Sequence, residues 1–244
     1  MTGPRSQRRA LLLCAGGGAL LAASGCVSIG GGDATALVWY RLEDRGDAVA
    51  APPNGASPAA GGAGSGAAGA GSGAAGAGAS APAPVLLVGP VAAAGFYDSA
   101  MLAFSRAPGT LAHYQFAGWS ERPGRRIATL AERRLSGRGR FAAVAQSTAG
   151  VRGDLLLNLS LEHLYHDVSA VPGTARAALG AELLDWRARR LIARRDFDRS
   201  TPVAREAAAD AVAAINRALG EVLDELCPWV EAAALGYTGD RNRT

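Results

Sequence analysis

The sequence predicts an α+β fold: one domain with a mostly antiparallel or mixed β-sheet packed by two main helices. Three observations predict it. Leu155, Leu157, Leu159 and Leu161 alternate with Asp154, Leu156, Asn158, Ser160 and Glu162, so one face is apolar and the other mostly polar, as a half-buried strand requires. Ile127, Leu130, Ala131 and Leu135 recur at helical spacing. Val203, Ala207, Val212, Ile215, Leu219, Val222, Leu223 and Leu226 form the apolar stripe of a second, longer helix.

Taken in order, residues 1–25 read as a signal peptide. Arg5, Arg8 and Arg9 form a basic leader, Ala10 to Ala23 an apolar stretch, and Ala22-Ala23-Ser24-Gly25 places small residues directly before Cys26. That is the layout of a bacterial lipoprotein signal, with cleavage before Cys26 and acylation of its thiol and new amine. Fourteen apolar-stretch residues containing Gly16, Gly17 and Gly18 fall short of the roughly 20 that a membrane span needs. Arg8-Arg9 leaves both the general and the twin-arginine export routes open. Residues 26–45 then hold a tether and a first strand, Leu37 to Leu42, rich in aromatic and β-branched residues.

From Gly46 to Pro84 the composition falls to Ala, Gly, Ser and Pro, and AGSGAAG occurs twice in succession from Ala63 to Gly76. Such a segment buries too little apolar surface to offset its ordering entropy, which predicts a flexible linker over 46–84. Two GxGxxG matches inside it neither follow a strand nor open an amphipathic helix, so they carry no dinucleotide-binding chemistry.

The main domain is expected over 85–235, followed by a disordered tail over 236–244. Val85 to Val88 reads as a buried strand ending at Gly89-Pro90, and Met101 to Phe104 and His113 to Trp119 as further strands. Trp119-Ser120-Glu121-Arg122-Pro123 breaks into the first helix, and Gly137 and Gly139 stop it. Thr174 to Trp186 alternates like the leucine strand, and Leu191 to Phe197 returns from a turn around Arg187 to Arg190, which predicts an antiparallel hairpin. Thr201-Pro202 reads as the cap and first residue of the long helix, with Pro228 its end or a kink. About 150 residues suffice for a single core.

Charge excludes one class of function. All 25 basic residues are arginine, and removing Arg5, Arg8 and Arg9 leaves 22 against 21 acids, a net charge near +1. A global nucleic-acid-binding surface does not follow from that balance. Catalytic and metal chemistry find no support either. His163 and His166 are three apart in a strand and point to opposite faces, against shared metal ligation. No GxSxG elbow surrounds a serine, Asp224 and Glu225 read as a solvated helix face, and no nucleophile, base and orienting group converge. Cys227, among Leu223, Leu226 and Trp229, reads as a small buried apolar residue. Neither a cofactor nor an enzymatic activity is expected.

Arginine is locally dense: seven lie from Arg122 to Arg140 and six from Arg187 to Arg199. A solvated helix face and hairpin is the plain account. The functional account is contact with lipid headgroups or an acidic partner, with Arg125, Arg126, Arg133 and Arg134 the candidate residues.

Element for element, the chain resembles the ABC-type transport auxiliary lipoprotein component family, which includes the lipoprotein of the paraquat-inducible system. The residues that carry this are the Cys26 signal, Tyr40-Arg41-Leu42, Leu86-Leu87-Val88-Gly89-Pro90, Phe96-Tyr97-Asp98-Ser99 and Tyr114 with Trp119. Asp154-Leu155-Leu156-Leu157, Arg195-Asp196-Phe197 and Trp229-Val230 complete the series. The resemblance implies a membrane-anchored periplasmic accessory that works with an MCE-domain protein, a permease and an ATPase in lipid transport, without catalysis. An envelope assembly or structural lipoprotein without a transporter is the alternative, and a homo-oligomer is left open.

The insert departs from the family's shorter connection and leaves the docking of Leu37 to Leu42 open. If that strand docks, about ten residues separate the lipid from the fold, a reach of at most roughly 35 Å. Val27 lacks the aspartate associated with retention at the inner membrane, which favours the periplasmic face of the outer membrane of a Gram-negative envelope.

Overall fold

The alternating leucines organise the sheet. The computed structural model describes residues 36–44 and 83–237. The expected signal peptide, the Cys26 attachment site, nearly all of the expected linker and most of the expected tail lie outside those residues. The described strands are β1 (Val38–Tyr40), β2 (Val85–Val88), β3 (Ala92–Ala93), β4 (Met101–Ser105), β5 (Ala112–Trp119), β6 (Ala143–Gln146), β7 (Leu155–Asp167), β8 (Thr174–Asp185) and β9 (Arg190–Pro202). The helices are α1 (Pro123–Gly137) and α2 (Ala208–Leu235).

β7 is the spine. Along one edge it pairs antiparallel with β8, from Leu155 opposite Asp185 to Asp167 opposite Thr174. Its other edge receives three short strands in succession, all parallel: β2 at Leu155 to Leu157, β3 at Ser160 and Leu161, and β4 at His166 and Asp167. Gly89 makes the first step between them, since a Cβ there would lie 2.8 Å from Asn158 Oδ1. β6 extends β2 in parallel, β5 extends β4 antiparallel, and β9 extends β8 antiparallel. The result is a nine-stranded mixed sheet with two helices, the α+β arrangement the sequence predicts.

Both helices bury most of their predicted stripes, but Ala207, expected on the α2 stripe, is exposed and sits just before the helix. Ile127, Leu130, Ala131 and Leu135 of α1 are buried, as are Val212, Ile215, Leu219, Val222, Leu223 and Leu226 of α2. α2 packs across β8, β9 and β7, and α1 lies against β6, β2 and α2. No helix among the described residues is long and apolar enough to cross a membrane.

Two expectations are corrected. Thr201-Pro202 does not open α2; it ends β9, with Thr201 opposite Ala175 and Pro202 opposite Thr174. A cap motif is a local signal, and here the ladder to β8 prevails over it. Among the described residues β9 pairs only with β8, so Pro202 can lack an N–H on the open edge at no cost to the sheet. Val203, expected on the helix, is instead buried in the core just after the strand, its N–H bonded to Gly173 O at 3.0 Å. α2 begins five residues after Val203, with Asp210 in its first turn. Pro228 also does not end the helix, which continues to Leu235. Burial of Leu226, Cys227 and Val230 around it offsets the lost backbone hydrogen bond.

The first strand docks. β1 runs parallel to β5, with Val38 opposite Ala117 and Tyr40 opposite Trp119. The residues after it are fixed between the helices: Leu42 is buried, Arg126 Nε donates to Leu42 O at 2.9 Å, and Glu43 N–H donates to Asn216 Oδ1 at 3.1 Å.

Candidate functional site

Of the four arginines proposed for partner or headgroup contact, two are committed inside the molecule. Arg134 has a side chain only 8% exposed and bridges the fully buried carboxylate of Asp44 to that of Asp224, with Arg134 Nη1 donating to Asp224 Oδ1 at 2.5 Å. Burial opposes its charge, and the hydrogen bonds and fields of the two aspartates outweigh burial, so its pKa lies above the ordinary arginine value. Arg126 holds Leu42 O and pairs with Glu121 at 3.8 Å. Their place in the candidate surface is therefore corrected: the helical wheel puts them off the apolar stripe, but residues 41–44 of the chain lie across that side. Arg125 and Arg133 are exposed.

The two histidines face apart, as a strand spacing of three requires. His166 is fully buried; Pro172 O can only accept, so Nε2–H donates to it at 2.8 Å, and Nδ1 lies 2.6 Å from the Tyr114 hydroxyl. His163 stands on the other face, its Nδ1 3.4 Å from the Tyr97 hydroxyl. Desolvation first, and the Arg176 charge second, push His163 below its usual range. Among the described residues no group of three or more His, Cys, Asp or Glu side chains could hold a metal ion.

Beside His163 lies an open cleft of about 460 Å³ lined by Tyr97, Thr110, Tyr165, Asp167 and Arg176. Burial raises the Tyr97 phenol to about 12, so it stays protonated. Arg176 is engaged by Asp198 at 2.5 Å, which holds that carboxylate below its usual range. The protonated phenol and a guanidinium already paired with a carboxylate suit hydrogen bonding to a polar group.

The β8–β9 hairpin presents a different surface. Asp185, buried, accepts hydrogen bonds from the N–H groups of Arg187 and Ala188 at 3.0 and 2.9 Å and so shapes the turn, in which Arg189 takes a φ of 52°. Farther down the hairpin, Arg194 pairs with Glu182, and Arg195 and Arg199 both pair with Glu225 of α2. At its tip Arg187 pairs with Asp154. Arg189 and Arg190 are exposed and make no ion pair among the described residues. They are flanked by Trp186 and Leu191, 46% and 51% exposed. A tip that combines free guanidinium groups with an exposed indole and leucine suits docking to an acidic surface with apolar patches. The sequence shows the arginine density and the turn; which arginines are neutralised depends on Glu182 of β8, Glu225 of α2 and Asp154 just before β7.

Cys227 is buried on α2, and burial pushes its thiol up to about 12. It has the inert environment expected of a packing residue.

The model of the family described as ABC-type transport auxiliary lipoprotein component matches residues 69–227. Among solved structures, the chain is similar to protein XCC0632 from Xanthomonas campestris, with 27% identity and a TM-score of 0.59 over 63% of this chain and 87% of that one. An uncharacterized protein shares the fold at a TM-score of 0.51 and 11% identity, over 60% of this chain and 91% of that one. No match to the chain was found among curated proteins.

Proposed function

Because the chain belongs to the ABC-type transport auxiliary lipoprotein component family, we propose that it is the membrane-anchored periplasmic accessory of an MCE-type lipid transporter, acting by protein docking. The observation that carries the docking reading is the β8–β9 tip: Arg189 and Arg190, with no ion pair among the described residues, between exposed Trp186 and Leu191. Farther along the hairpin the arginines pair with Glu182 of β8 and Glu225 of α2, so the unpaired charge of the hairpin lies at its turn. Acylation at Cys26 supplies the anchor, and three acyl chains exceed the two signals that stable anchoring needs. The outer membrane is the favoured location, since Val27 follows the acylated residue.

The test is capture of the lipidated protein from detergent-solubilised envelopes, in parallel with an Arg189→Glu/Arg190→Glu variant. The reading expects an MCE-domain protein and its permease with the native chain, and at least a tenfold loss of both with the variant at unchanged thermal stability. Recovery of outer-membrane assembly proteins alone would favour an envelope structural role and overturn the transport reading. Equal capture by the variant would overturn the docking role of the tip.

A further inference from the structure

At the far corner of the sheet from that hairpin, the first strand exposes an apolar rim. Leu37, Val38 and Trp39 are 40%, 46% and 53% exposed, and Phe116 on the adjoining strand is 42% exposed. Val38 lies opposite Ala117 and Trp39 opposite Gly118, so Trp39 and Phe116 fall on the same face of neighbouring strands. Gly118 lets the Trp39 indole lie directly on the backbone: a Cβ at Gly118 would come within 2.7 Å of the ring. The indole is therefore held in place while about half of it faces outward. Exposed Arg41 follows β1, and Arg106 lies over the Phe104 ring at 5.2 Å beside the groove that Phe116 lines. Glu43 and Glu206 are in the same neighbourhood, so net charge adds little and apolar contact dominates.

We propose that this rim, Leu37, Val38, Trp39 and Phe116, rests in the interfacial layer of the bilayer that holds the acyl chains of Cys26, orienting the domain with β1 down. The inference rests on the lipoprotein reading. Two features select a bilayer as the occupant. β1 is the first described strand after Cys26, and about ten intervening residues keep it within roughly 35 Å of the acylated residue. The residue types are those of a membrane interface, an indole and aliphatic groups with arginines at the margin. A second copy of the chain is a poorer fit, since a three-residue edge strand offers little backbone for pairing.

The test uses the mature chain beginning at Cys26, coupled through that thiol to maleimide phospholipid in phosphatidylethanolamine/phosphatidylglycerol vesicles. Cys227, buried, does not compete for coupling. Anchoring is then independent of natural acylation, which is measured separately by the mass of the protein purified from membranes. Brominated lipids quench the indoles at the interface. The expected result is that Trp39→Phe removes most of the quenchable fluorescence, at least threefold more than Trp186→Phe does. Equal loss from the two variants, or no quenching that depends on Trp39, would overturn the orientation even if the purified protein proves acylated. Quenching that appears only at high protein density, together with cross-links between copies, would assign the rim to self-association and overturn it too. An unacylated native protein with Trp39-dependent quenching would refute the lipoprotein reading and leave the surface assignment standing.

Discussion

Replacing Arg134 with methionine should destabilise the domain more than any other change to its charged residues. The guanidinium is 8% exposed, the Asp44 side chain 0% and the Asp224 side chain 67%. Asp224 can return to water at little cost when its partner is lost. Asp44 cannot, since Leu42 before it is in the core and Glu43 is tied to Asn216 on α2. Breaking a buried pair from one side costs about 3–5 kcal/mol, a large share of the about 5–15 kcal/mol that holds a domain folded. With a urea slope of about 1–3 kcal/mol per molar, the unfolding midpoint should fall by roughly 2 M. Adding Asp44→Asn removes the carboxylate that the guanidinium faced, so the double variant should recover at least about 1 kcal/mol relative to the sum of the single losses. Hydrogen exchange should rise in residues 37–44 before it rises in β7. A loss below about 1 kcal/mol, or strict additivity, would refute the clamp.

Three further outcomes follow from the structure. Gly173 has a φ of +90°, and a Cβ there would lie 2.1 Å from Asp167 O, so Gly173→Ala should cost at least about 2 kcal/mol in denaturant melts; a change under about 0.5 kcal/mol would contradict the close approach. Cys227, raised to about 12 by burial, should resist alkylation at pH 8 in the native chain and react after unfolding; fast native labelling at that position would contradict its packing. His163 is depressed in the fold, so its contribution is present above its unfolded value near 6.5 and is lost as pH falls toward the folded one, whereas Asp198, also depressed, loses its contribution below about pH 4. His163→Gln should therefore flatten the stability profile as pH falls below about 6.5, and Asp198→Asn the profile below about pH 4. The Asp198 effect should stay under about 1 kcal/mol because both partners are more than a third exposed. Unchanged slopes in calorimetric melts would exclude these groups.

Side-chain periodicity carried most of the fold. The leucines of β7 alternate because one face is covered by α2, and the stripes of α1 and α2 are the faces those helices bury. What periodicity could not reveal is long-range pairing. β3, two residues long, and β6, four long, exist through their pairing with β7 and β2. Thr201-Pro202 has the local chemistry of a helix start, but Thr201 finds a strand partner in Ala175 across the hairpin. The arginines divide on the same ground. Arg126 and Arg134 look like Arg125 and Arg133 on a wheel, and only the path of residues 41–44 between the helices separates internal clamps from exposed charges. Conversely, aromatic and β-branched character was enough to place a strand within Leu37 to Leu42, of which Val38 to Tyr40 pair with β5, despite the insert that follows.

Photo-crosslinking from the hairpin tip in intact cells tests the central claim most directly. A photoreactive residue at position 190, in an otherwise native lipidated chain, should form a specific adduct with the MCE-domain protein of an ABC transporter. The same probe at position 133, exposed on α1, should not. Adducts from both positions to unrelated envelope proteins, or none from position 190 at full expression, would contradict the account of this chain as a docked transport accessory.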